Sequence, residues 1–97
     1  MKIIRTKKAE EDIKEIYKYS FLNFGEAQAE KYYKGLERKF NSILNKTAHS
    51  TDYSFIEPDL RRSNYGAHAI YYRINKDDII IIRILHQRMD EIKHLGE

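Results

Sequence analysis

Imidazoles are the side chains of this sequence best suited to proton chemistry near neutral pH, and there are four: His49, His68, His86 and His94. Metal binding is the competing use. It asks for a repeated spacing, such as two histidines one helical turn apart with an acidic third ligand, and no pair here has it. The four glycines are all single, so no phosphate-cradling loop or nucleophile elbow is present. Acid–base work by a Lys/His or Ser/His/Asp set stays open, with nothing to single one out. Two further groupings carry charge next to aromatic surface. His86, Arg88, Lys93 and His94 follow one another closely, and Arg61, Arg62 and Arg73 alternate with Tyr65, Tyr71 and Tyr72. The second grouping resembles an RNA-stacking surface. The plainer reading, and the favoured one, is that the eight tyrosines fill a small core and keep a hydroxyl at its edge. Lys31, Lys34, Arg38 and Lys39 read as a solvated helix face rather than a polyanion site.

The element that must position these groups is the run Ile79–Leu85, four isoleucines, then Arg83, then Ile84 and Leu85. It is short, β-branched and bounded by polar residues, so it reads as a strand. Strict alternation places Ile80, Ile82 and Ile84 on one face and Ile79, Ile81, Arg83 and Leu85 on the other. Both faces are mostly apolar, which predicts a central strand covered on both sides. Burying each such side chain stabilises the fold by roughly 1.5–3 kcal/mol. Arg83 in that setting requires a partner carboxylate or a route to solvent.

Around this run the chain reads in order as follows. Residues 2–5 form a short strand. Thr6 caps a helix over about 7–23, with Ala9, Ile13, Ile16, Tyr17, Ser20 and Phe24 on one face. Gly25 ends it, and a second helix over about 26–45 carries Ala29, Tyr33, Leu36, Phe40 and Ile43. Gly35 lies inside that helix, where it costs about 1 kcal/mol and calls for a close neighbour. The connection is short enough to require an antiparallel hairpin. Residues 46–57 read as a loop in which Tyr53, Phe55 and Ile56 lie on the core. A strand over 60–63, a turn at Asn64-Tyr65-Gly66, a strand over 67–74 and a turn at 75–77 lead into the isoleucine strand. Residues 89–95 read as a short helix or turn. The class is therefore α+β: a short N-terminal strand, an antiparallel two-helix hairpin, and an antiparallel β-meander on which it packs.

At 97 residues the chain fits one domain spanning 1–97. It has no cysteine, which excludes disulfides and thiolate metal sites and is compatible with a reducing cytosol. No apolar run approaches a membrane span, and no signal-peptide pattern opens the sequence. The net charge of +3 lies within residues 1–56, while 57–97 are neutral. That permits an acidic partner without requiring nucleic acid.

Leu60-Arg61-Arg62, the stretch Tyr65-Gly66-Ala67-His68-Ala69-Ile70-Tyr71-Tyr72-Arg73, and Ile82-Arg83-Ile84-Leu85-His86-Gln87-Arg88-Met89-Asp90 with His94-Leu95 resemble the ParE branch of the ParE/RelE toxin superfamily. Ala9, Asp12-Ile13, Ile16 and Tyr19 are similar to its first helix, and Phe24-Gly25, Gln28-Ala29, Tyr32, Leu36 and Phe40 to its second. Phe24 stands where the family usually has tryptophan, and residues 45–54 depart from its pattern. The resemblance implies a bacterial, cytoplasmic toxin of a toxin–antitoxin pair that blocks DNA gyrase and has no chemistry, metal or cofactor of its own. It also implies a ParD-like antitoxin, a ribbon-helix-helix protein with an acidic tail. Ile13, Tyr17, Leu36 and Phe40 are the expected antitoxin-binding residues, from the apolar faces and the positive charge. Arg61, Arg62, His68, His86, Arg88 and His94 are the expected target contacts, since several follow a rigid strand where the chain leaves the sheet. The RelE branch, which cuts mRNA on the ribosome, is the enzymatic alternative. Its cationic positions fall here on Glu57, Asp59 and His68, although Arg88 and His94 align with an arginine and a tyrosine of that branch. An interaction domain without toxicity is the third reading.

Overall fold

The computed structural model describes residues 2–46, 48–88 and Leu95. Strand β1 (Ile3–Arg5) runs directly into helix α1 (Lys7–Phe24). Thr6 makes that junction: its Oγ1 accepts from the Ala9 N–H at 3.1 Å and donates to the Ile82 carbonyl at 2.8 Å. One hydroxyl thus caps the helix and ties it to the sheet. Gly25, at φ 90°, ends α1 and starts helix α2 (Glu26–Leu44). Its N–H donates to Phe21 O, and its own carbonyl accepts from Ala29 N. A side chain at that φ would be strained, which is why the hairpin turns at a glycine.

Strands β2 (Thr51–Asp52), β3 (Arg61–Tyr65), β4 (His68–Asn75) and β5 (Asp78–His86) complete a five-stranded sheet of order β1-β5-β4-β3-β2. The expected three-stranded meander is there, widened by a strand at each edge. β1 joins β5 in parallel, and β2, inside the expected 46–57 loop, pairs antiparallel with β3. Tyr65 belongs to β3, so the tight turn is Gly66–Ala67 rather than Asn64–Gly66.

Alternation along the isoleucine strand does not run uninterrupted. Between Tyr71/Tyr72 on β4 and Ile81/Arg83 on β5 the register shifts, leaving Ile82 as an extra residue. After this bulge Ile84 joins Ile79 and Ile81 on the helix-covered face, while Leu85 and Ile82 face the other side. The sequence-based grouping of Ile84 with Ile80 and Ile82 is corrected accordingly. Both faces are covered, as the doubly apolar strand requires. Ala9, Ile13, Leu36, Phe40 and Ile43 from the helices pack on one. Leu60, Tyr71 and Leu95 pack on the other with Tyr53 and Ile56, whereas Phe55 is 77% exposed and does not lie on the core.

Two close fits fix the layers. Arg83 donates from Nε to Asp12 Oδ2 (2.8 Å) and from Nη2 to Asp12 Oδ1 (3.1 Å), and the Ile84 N–H also donates to Asp12 Oδ2 (3.0 Å). Of the two expected outlets for Arg83, a carboxylate or a route to solvent, the fold supplies the carboxylate. At Gly35, an added Cβ would stand 1.8 Å from the Tyr65 hydroxyl oxygen, so the helix glycine exists to let β3 approach.

Candidate functional site

The last turns of α1 carry four large apolar side chains that remain in solvent: Tyr19 64%, Phe21 46%, Leu22 70% and Phe24 65% exposed. Exposed apolar surface of this extent on a small domain marks an interaction site. Tyr19 and Phe24 form one wall of a groove of about 670 Å³ between the helical hairpin and one end of the sheet. Glu15, Ile16 and Ser20 extend that wall, α2 contributes Gln28 and Tyr32, and the sheet end contributes Ala67, His68 and His86.

Local geometry explains how the two imidazoles arrive there. His68 opens β4, His86 closes β5, and the two are register partners. Without the extra residue at Ile82, His68 would face Leu85 instead. The bulge therefore creates the histidine pair, whose ring centroids lie 5.6 Å apart in an edge arrangement. Tyr32 anchors it from α2. Its hydroxyl lies 2.7 Å from His68 Nδ1, accepts from the Ala67 N–H and reaches the Tyr65 carbonyl at 3.2 Å. Burial holds the Tyr32 phenol above its ordinary value, so it stays protonated at neutral pH. Burial, reinforced by the neighbouring His86, pushes His68 down to about 4, and the ring is neutral under ordinary conditions. His86 accepts the Arg88 backbone N–H at Nδ1 (3.1 Å), so its neutral form carries the ring proton on Nε2. Gln87 closes the rim by donating to the Gly66 carbonyl at 2.9 Å.

The expected site residues divide sharply. His68 and His86 meet in the groove, and exposed Arg88 directly follows. Arg61 and Arg62 are elsewhere, engaged with their own surroundings. Arg61 donates from Nε and Nη2 to Ser50 Oγ, and Arg62 donates to Asn64 and Tyr53 while lying over the Tyr53 and Tyr71 rings. His94 lies outside the described residues, as does nearly all of the expected 89–95 helix or turn. Ile13, Leu36 and Phe40 are only 6%, 1% and 2% exposed, sealed between the helices and the sheet. They hold this chain together and are not available to a partner. Tyr17 alone of that set is partly accessible, donating to Glu30 Oε1 at 2.9 Å and stacking on Phe21. The groove residues Tyr19, Phe24, Gln28 and Tyr32 were not singled out as a site. Tyr19 carries a signal, as an apolar residue off the core-facing stripe of α1, whereas Phe24, expected on that stripe, is 65% exposed and lines the groove instead, because it lies at the end of the helix.

Comparison with known proteins gives one answer. Residues 3–91 match the family described as ParE toxin of type II toxin-antitoxin system, parDE. The chain is 30% identical over 91 residues to Toxin ParE1 of Caulobacter vibrioides, covering 94% of each chain. It is 28% identical over 88 residues to Toxin ParE1 of Mycobacterium tuberculosis, covering 90% of each. Among solved structures, the chromosomal ParDE system from P. aeruginosa superposes with TM-score 0.72 at 21% identity, covering 89% of this chain and 95% of that one. A YoeB-YefM complex from Staphylococcus aureus superposes with TM-score 0.57 at 19% identity, covering 88% and 94%. Those two likenesses establish the shared fold, and the match over residues 3–91 establishes the family. This chain belongs to the ParE toxins of type II toxin–antitoxin systems.

Proposed function

We propose that the chain acts by engaging a protein target, DNA gyrase, without chemistry of its own, and that a ParD-like antitoxin silences it from the helical-hairpin groove. The observation that carries the docking part is the groove itself. Exposed Tyr19 and Phe24 stand over a cleft large enough for apolar side chains of an amphipathic helix. The net charge of +3 favours an acidic antitoxin tail, and the structural relatives described as a ParDE system and a YoeB-YefM complex support an antitoxin partner. Docking moves from the buried Ile13, Leu36 and Phe40 to the outward surface of the same hairpin. Tyr19→Glu is expected to weaken antitoxin binding at least 30-fold, since a charge would sit in an apolar contact, and to leave folding intact. Unchanged affinity, measured by calorimetry, removes the groove from the interface.

Electrostatics support the non-enzymatic reading. Cleaving RNA requires cations or acids placed to stabilise a phosphorane and protonate a leaving oxygen. Glu57 is instead a carboxylate, paired with Arg73, Asp59 is another, and His68 is neutral and tied to Tyr32. Expressed without antitoxin in a bacterial cytoplasm, the chain is expected to trap gyrase–DNA cleavage complexes and leave translated mRNA whole. Codon-positioned cuts in mRNA that precede DNA damage would establish the ribonuclease instead.

A further inference from the structure

The groove is chemically polarised in a way that a merely apolar cleft is not. Ile16, Tyr19 and Phe24 make its helix end apolar, while among the described residues its sheet end presents the His68 and His86 imidazoles and Ala67 beside the Tyr32 hydroxyl, with exposed Arg88 two residues past His86. His86 has its Nδ1 occupied by the Arg88 N–H, which leaves Nε2–H as a donor. Among the described residues, Nε2 of neither His68 nor His86 has a partner. Among the described residues, no carboxylate pairs with either imidazole. Asp12, the acid whose field reaches His68, gives both oxygens to Arg83 and the Ile84 N–H. Among the described residues, Glu15 is the one lining carboxylate, and it stands on the α1 wall.

We propose that the sheet end of this groove is a carboxylate subsite, which takes an acidic side chain from the antitoxin segment whose apolar face covers Tyr19 and Phe24. The proposal rests on the docking reading above and adds an orientation to it. The carboxylate accepts from His86 Nε2–H and from His68 beside Arg88, while Glu15 at the α1 wall favours a base or a neutral residue on the docked segment. A proton accompanies the carboxylate. Among the described residues, the groups that face His68 are Asp12 and Glu15 from α1, Tyr32 from α2, Tyr65 from β3 and His86 from β5, and Arg88 follows two residues after His86. Among the described residues these leave the pair without a free negative partner, and His68 stays neutral down to about pH 4. A docked carboxylate supplies that partner and favours imidazolium. Docking therefore takes up a proton and tightens from pH 7 to about 5, where the carboxylate is still ionised.

The test uses 4-phenylbutyrate and its amide as probes, followed by NMR of the histidine and aromatic side chains at pH 6. The acid is expected to bind at least fivefold more tightly than the amide and to shift the His68 and His86 signals. That advantage should vanish in a His68→Gln/His86→Gln variant, with His86→Gln alone serving where the double variant fails to fold. Equal binding of acid and amide, or an advantage that survives both variants, overturns the subsite. With the full antitoxin, affinity that depends on Tyr19 but ignores both histidines and pH overturns the subsite while the docking reading stands. Affinity that ignores Tyr19 sinks the docking reading, and the probe result then decides the subsite separately.

Discussion

Helix α1 is two different objects joined end to end. Its first half lies on β5, with Ala9 and Ile13 enclosed and Asp12 locked to Arg83. Its last turns overhang the sheet and hold Tyr19, Phe21, Leu22 and Phe24 in solvent. Helix propensity does not separate them, because both halves are good α-helix. What differs is whether a sheet lies underneath. The first half stabilises the domain, and the second offers surface. Mutations should therefore fall into two classes with little overlap, and the following expectations run from the largest loss of stability to the smallest.

Asp12→Ala strikes the stabilising half. Asp12 and Arg83 are 15% and 12% exposed, so removing the carboxylate takes two hydrogen bonds from an enclosed guanidinium and leaves the Ile84 N–H without its acceptor. Breaking such a pair costs about 3 kcal/mol. For a domain of this size, the thermal midpoint is expected to fall roughly 10–20 °C. A fall of only a degree or two in calorimetry would show that α1 is held by its apolar face alone.

Gly35→Ala comes next. The new methyl would run into the Tyr65 ring from its hydroxyl inward, and Tyr65 is wedged against Tyr32 at a centroid distance of 4.9 Å. Overpacking of this kind costs about 1–3 kcal/mol. The measurement that sharpens the reading is rescue: Gly35→Ala/Tyr65→Leu should recover much of the loss in urea unfolding. A double variant no better than the sum of the two singles would mean that the strain lies elsewhere.

Much of this arrangement could be read from the sequence, and the misses have physical causes. Apolar residues at spacings of three and four gave both helices almost to the residue, and the β-branched run gave the central strand. Local chemistry pointed to Thr6 as a cap, to a close neighbour at Gly35, and to either a carboxylate or a route to solvent for Arg83, of which the carboxylate is found. The same stripe was then assigned a second task. Ile13, Leu36 and Phe40 cannot both pack on a sheet and bind a partner, because one apolar face is consumed by one neighbour. The docking surface had to be sought in Tyr19, which the stripe does not explain, and in Phe24 at the stripe's end, which the sheet leaves in solvent. The histidine pair was hidden for another reason. Alternation has no marker for an inserted residue, and a single bulge at Ile82 decides which side chain meets His68.

The groove half predicts a pH effect on stability. The folded protein holds His68 down at about 4, below the ordinary histidine value near 6.5. As pH falls below about 6.5 the unfolded chain takes up a proton that the folded one refuses. Stability is therefore full above that value, declines as pH falls toward 4, and levels off below it. The ring is only partly enclosed, so solvent screening limits the loss to about 1 kcal/mol. Urea titrations at pH 7 and pH 4.5 should show it, and His68→Gln should shrink the difference. An unchanged difference in that variant would assign the pH dependence to carboxylates instead.

Arg88→Ala sharpens the comparison most, because its two readouts are expected to diverge. The side chain is exposed just past the end of β5, and the contact that fixes His86 comes from the Arg88 backbone, which alanine keeps. Truncating an exposed cation changes stability by less than about 0.5 kcal/mol. Toxicity is expected to disappear all the same, because a cation at the end of a rigid strand is well placed to contact a protein target. The pair of measurements is growth arrest on induction and thermal midpoint of the purified chain. A variant that arrests growth as before takes Arg88 off the target surface. One that melts far lower assigns Arg88 to the stabilising half of the molecule, with Asp12.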